Sequence, residues 1–261
     1  MSTGTYAPKP GAAPVGRMIA AQAALETRML LRNGEQLLLT VIIPSLLLVL
    51  FSTVDIVTVP VSTTGGSDKA VDFLAPGVLA LAVLSTAFTG QAIATGFERR
   101  YGVLKRLGAS PLPRWALMTA KTLAVLVTEV LQIALLTAIA LALGWSPQGD
   151  PGSVLLLLVL GTAAFSGLGL LMAGTLRAEA TLAAANLVFL LLLVGGGVIV
   201  PLEKFPDAAR SVLELLPISA LSDGLRAVLQ DGAALPWGDA LTLAVWAVLG
   251  LGAAAKFFRW E

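Results

Sequence analysis

A chain of 261 residues that is 57% hydrophobic and 13% charged, with a mean hydropathy of +0.88, is too apolar for a soluble fold; soluble domains carry about 25% charged residues. Its net charge of +1 sets up no field for nucleic acid or for a strongly acidic partner. It has no cysteine and no histidine, which excludes disulfides, thiolate nucleophiles, histidine bases, HExxH zinc sites and His-ligated haem, and points away from an enzyme.

Residues 1–16, rich in Gly, Ala, Pro and Thr, read as a flexible tail. Residues 17–36 read as a cytoplasmic interfacial helix. Met18, Leu25 and Met29 form one apolar stripe, with Ile19, Ala23 and Leu30 beside it, and Gln22, Glu26, Arg28 and Arg32 supply the polar positions. The remainder, 37–261, is a transmembrane domain with six apolar runs, at about 37–54, 73–97, 115–143, 154–176, 181–200 and 239–258. Each reaches or approaches the roughly 20 residues needed to cross a bilayer. Pro44 predicts a kink in the first, and the third is long enough to require tilt or an interfacial end.

The loop between the second and third spans is FERRYGVLKRLGASPLPRW, residues 97–115. Leu104, Lys105, Arg106 and Leu107 follow Gly102 as a short amphipathic turn, which Ser110, Pro111 and Pro113 stop. The pattern exceeds what a topology signal requires and reads as a cytoplasmic docking element. Of the 17 Lys and Arg residues, all but Lys69, Lys204, Arg210 and Arg226 fall on the side of this loop, which places both termini in the cytoplasm.

The segment from Pro201 to Gly238 is broken by Pro201, Pro206 and Pro217 and predicts two short amphipathic helices before the last span, re-entrant at the outer face. Val212, Leu213, Leu215 and Leu216 mark the first; Leu221, Leu225, Val228 and Leu229 mark the second, with Ser222 or Asp223 as its cap and Gly232 as its end. Gly161, Gly167, Gly169 and Gly174 suggest close helix approaches.

Glu129 lies midway along the third span, with Gln132 on the same helical face. A carboxylate at that depth is costly and marks a candidate site: for a cationic substrate, for a transported proton, or for a hydrogen bond that assembles the bundle. Gln91 and Asn186, polar positions in the second and fifth spans, join Glu129 and Gln132 as candidates for a substrate pathway; polar residues of this kind in a span are more often interhelical hydrogen-bonding groups than ligands.

The order of these features carries a resemblance. An interfacial helix and a first span are followed by FLAPG (Phe73–Gly77), the basic loop and its Lys-containing span, and LLPISALSDGLR (Leu215–Arg226) before the last span. This resembles the permease subunit of ABC-2 type exporters, the family of daunorubicin-resistance and sodium-efflux permeases. The resemblance implies a cell-membrane protein that pairs with a second permease copy, or a homologous permease, in contact with membrane lipid. It implies a separate ATPase subunit that holds ATP and Mg, and no cofactor in this chain, which has no GxxxxGK[ST] phosphate loop. Carried over by position, the coupling helix that seats in the ATPase is built by Glu98, Arg99, Arg100, Gly102, Leu104, Lys105, Arg106 and Leu107, with Leu104 and Leu107 as its buried knobs. The exported substrate would be drug-like, lipidic or otherwise amphiphilic. The alternative is an ion-coupled secondary transporter using Glu129, disfavoured by the lack of a clear inverted repeat; a non-transporting assembly factor is a third class.

Overall fold

The computed structural model describes residues 13–53, 70–198, 202 and 205–258. Among these residues the chain is helical with no strand. The helices are α1 (Val15–Arg32), α2 (Gly34–Thr53), α3 (Ala70–Val83), α4 (Gln91–Arg100), α5 (Val103–Gly108), α6 (Arg114–Ala142), α7 (Pro151–Thr175), α8 (Ala178–Gly195), α9 (Asp207–Leu213), α10 (Pro217–Leu229) and α11 (Trp237–Phe257). A π-helical turn, Leu84–Gly90, joins α3 to α4, so that Ala70–Arg100 runs as one rod.

Five of these rods are long and apolar enough to cross a membrane: Ala70–Arg100, Trp115–Ala142, Pro151–Thr175, Ala178–Gly195 and Trp237–Phe257. α2 contributes a shorter apolar stretch, Thr40–Ser52, with Pro44 inside it. Successive rods run up and down, so the bundle has two ends. α5 and the C-terminal ends of α4, α7 and α11 share one end; the α6–α7 loop and α10 share the other, where Asp72 accepts the Ser146 backbone N–H (3.1 Å) and the Gln148 N–H donates to Leu229 O (2.8 Å).

The Ala70–Arg100 rod is the axis of the core, with nearly all of its α3 side chains buried. α7 packs along it on one side and along α11 on another through small residues. A Cβ added at Gly167 would lie 2.5 Å from Leu251 N, and one at Gly169 would lie 2.8 Å from Phe88 O of the π turn. Contact that close is available only to glycine and brings the backbones together where side-chain volume would hold them apart. The N-terminal end of α7 is set by Asp150, whose carboxylate accepts the Ser153 N–H (2.8 Å), with Pro151 at the first helical position.

Three expectations need correction. The tail overlaps a helix, since Val15 and Gly16 already belong to α1; residues 1–12 lie outside the described residues, as do the ends of two spans at Val54 and Val200, the break at Pro201, and Lys9, Lys69, Lys204 and Arg259. Within α1 Glu26 is buried, while Leu25 and Met29 of the apolar stripe are half exposed and turned away from the bundle, which does not count against an interfacial helix. Finally, α10 begins at Pro217, so Ser222 and Asp223 sit inside the helix and cap nothing. Its four apolar positions are buried as the periodicity requires, and Gly232, at φ 63°, turns the chain beyond its end. The first cluster does not form: Val212 and Leu215 are exposed, and α9 stops at Leu213.

Candidate functional site

The loop 97–115 folds as a hairpin tip. α4 ends where Gly102 takes φ 71°, a left-handed conformation that an L side chain resists, and this reverses the chain into α5. The reversal drives Leu104 back into the bundle. It is fully buried against Leu117 and Met118 of α6, Leu170 of α7, and Ala254 and Phe258 at the end of α11, with Leu107 packed at the margin. Leu104 is therefore an internal anchor, and no partner can use it as a knob.

The charges of the tip divide in the same way. Arg99 donates to Ala173 O (2.9 Å) and Leu176 O (2.6 Å), covering the otherwise open carbonyls at the C-terminal end of α7, where a cation is also favoured by the helix dipole. Arg100 pairs with Glu179 at the start of α8. Glu98 turns inward. Lys105 and Arg106 project from α5 into the open, beside an exposed Tyr101. The tip is thus tied to α6, α7, α8 and α11 on one side and offers two cations on the other.

Glu98 meets Lys121, seven residues into α6 and only 5% exposed. Its ammonium lies 2.6 Å from Glu98 Oε2 and 3.0 Å from the Glu26 carboxylate of α1. Two carboxylates thus share one ammonium, and the cluster ties the N-terminal helix, the end of the Ala70–Arg100 rod and the start of α6 into one joint. Beside it lies a cavity of about 120 Å³, lined also by Asn33, Gln91 and Thr95, large enough for a few water molecules.

The polar face of α6 continues inward from this joint. Glu129 is 2% exposed; its Oε2 accepts the Thr162 hydroxyl of α7 (2.5 Å), and its Oε1 has no partner among the described residues. Gln132 does not pair with Glu129: it accepts from Thr86 of the π turn (2.7 Å) and donates to Thr40 O of α2 (2.6 Å). One turn along α7 from Thr162, Ser166 donates to Gln91 Oε1 (2.8 Å). Three of the four pathway candidates therefore lie inside the bundle, bonded to neighbouring helices. The fourth, Asn186, sits apart on the exposed face of α8 and lines a groove of about 530 Å³ with Thr40 and Ile43 of α2, Ser85 and Thr89 of the π turn, and Phe189. The structure does not gather the four into one site.

Two residues that organise the two ends of the bundle were missed in the sequence. Lys121 counted only towards topology, although a lysine inside an apolar run requires a buried partner, and that requirement was the available signal. Arg226 also counted only as a charge. It is buried, donates to Val198 O (2.9 Å) and to Phe73 O (3.4 Å), pairs with Asp223 (3.0 Å), and stacks 4.0 Å over the Phe73 ring. The FLAPG and SDGLR strings, far apart in the chain, are two halves of this one contact.

No curated protein matches the chain. The family of ABC-2 family transporter proteins matches it over residues 12–256, nearly its whole length. A bundle of membrane-length helices with a basic, outward-pointing tip between the Ala70–Arg100 rod and α6 agrees with that match. The chain belongs to the ABC-2 transporter family and is a multi-pass membrane permease of that kind.

Proposed function

We propose that this protein is the permease subunit of an ATP-driven exporter, working with a separate ATPase that binds ATP and Mg and docks on α5. The observation that carries the reading is the two-sided construction of the α4–α5 tip. Lys105 and Arg106 are free to meet an acidic groove, while Leu104 and Arg99 transmit any displacement of the tip to α6, α7 and α11 as a rigid-body motion. α1, joined to the same helices through Lys121, would form the second contact. In this orientation both termini face the cytoplasm of a cell-membrane protein, and α2 serves as the first of six spans.

The substrate path we assign to the face formed by α2 and α8, where a second permease copy would close the groove. α8 is the least covered of the rods, with Leu187, Leu190, Leu191 and Val194 all more than half exposed. Among the described residues the groove is lined by hydroxyl and amide groups with no ionisable side chain, which suits an uncharged amphiphile better than a cation. Glu129, sealed against α7, is given a structural role. The test is reconstitution of the permease with its ATPase in vesicles. ATP-dependent accumulation of an amphiphile, lost when Thr89 and Asn186 are changed to Leu, would support the reading. Transport driven by an ion gradient without ATP would overturn it.

A further inference from the structure

A second groove, of about 700 Å³, lies between α1 and α6 and is not part of the site described above. Its walls are apolar: Leu31 from α1, and Leu123, Leu126 and Val127 from α6. At its rim stand Arg28 and Arg32, one helical turn apart on α1, both exposed and neither in an ion pair with a described residue. Leu123 and Val127 are 41% and 49% exposed, and the same stripe of α6 continues through Val130, Leu131 and Leu135, all exposed. From Leu123 to Leu135 the stripe runs about 18 Å, enough to cover one leaflet of the hydrocarbon.

We propose that this groove is a binding site for an anionic phospholipid, its phosphate held between Arg28 and Arg32 and one acyl chain laid along the α6 stripe. Charge complementarity selects the occupant. Two guanidiniums at an interface match a phosphodiester bidentately, and the apolar channel that begins beneath them suits a hydrocarbon chain rather than a polar protein surface. Basic pockets beside membrane helices hold acidic headgroups for the same reason. The bound lipid would fix α1 against α6 and so steady the Glu26–Lys121–Glu98 joint. The proposal rests on the exporter reading only for the leaflet involved, since lipid binding is measured without ATPase or transport.

The test uses the full-length protein in detergent, equilibrated with dioleoylphosphatidylglycerol or dioleoylphosphatidylcholine and examined by native mass spectrometry. The anionic lipid should be retained with a preference on the order of ten-fold, undisturbed by inorganic phosphate. Arg28→Gln/Arg32→Gln should remove the preference, Arg28→Lys/Arg32→Lys should keep part of it, and Val127→Trp, which fills the groove without altering charge, should weaken retention of both lipids. Equal retention of the two lipids by the wild type, or a preference that survives Arg28→Gln/Arg32→Gln, would overturn the proposal. So would a double variant that keeps its lipid preference but loses a bound ATPase, which would make this face of α1 a protein contact.

Discussion

Lys121 is the residue on which the cytoplasmic joint depends, because among the described residues it alone pairs with both the buried Glu26 and the partly buried Glu98 carboxylates. Lys121→Met should cost about 3–5 kcal/mol by stranding Glu26 and Glu98, read as a large drop in thermal midpoint in detergent. Replacing all three by apolar residues (Glu26→Leu/Glu98→Leu/Lys121→Met) should restore most of that loss, since a dry apolar joint needs no counter-ion; a single variant as stable as wild type would show the cluster to be solvated. Glu129→Gln should fold normally, because an amide oxygen can still accept from Thr162, and should leave export intact if Glu129 is structural. At this scale the sequence revealed which residue types were unusual but not which way they point. Glu98, Arg99 and Arg100 form a run of adjacent charges, and only the tertiary fold sends the first to Lys121, the second to the end of α7 and the third to Glu179.

Among the elements, the long helices were legible because an apolar run of membrane length leaves the backbone no alternative to internal hydrogen bonding. The π turn was not: the carbonyls of Ala87 and Phe88 in it lie against Gly169, a tertiary contact that the local composition does not announce. The cap of α10 was misread for a related reason: Ser222 looked like a cap but is buried mid-helix, bonded to Gly196 O (3.2 Å). Gly102→Ala tests the hairpin tip. No atom lies within 4 Å of the added Cβ, so the cost, about 1–2 kcal/mol, is backbone strain at φ 71°, and differential scanning of the variant should report it. Gly167→Leu should be worse, at about 1–3 kcal/mol or more, because α7 and α11 must separate. Asp150 gives α7 a pH dependence: the backbone N–H of Ser153 holds its carboxyl below its ordinary value of 3.8. A carboxyl lowered on folding stabilises above its unfolded pKa and loses that contribution as pH falls through the folded one. The helix end should therefore loosen only in acid, and Asp150→Asn, which still caps, should remove the dependence.

For the whole molecule, the resemblance to ABC-2 type permeases drawn from the order of its motifs coincides, at that level, with the family the chain belongs to, yet the strings that carried it do different physical work. FLAPG and SDGLR clamp the far end of the bundle through Arg226, whereas the basic loop forms the tip at the near end. The exporter reading requires that the tip have an outer face for the ATPase and an inner face for the bundle. Leu104→Asp cannot separate these, because it buries a charge among Leu117, Leu170 and Phe258 and unfolds the tip. Lys105→Glu/Arg106→Glu can, since both side chains are exposed and unpaired with any described residue. The decisive measurement is co-purification of the ATPase with wild-type permease and with this charge-reversed variant, each checked for an unchanged thermal midpoint. The predicted result is ATPase bound by the wild type and lost from a stably folded variant. Retention of the ATPase by the reversed tip would contradict the assignment of α5 as the docking element.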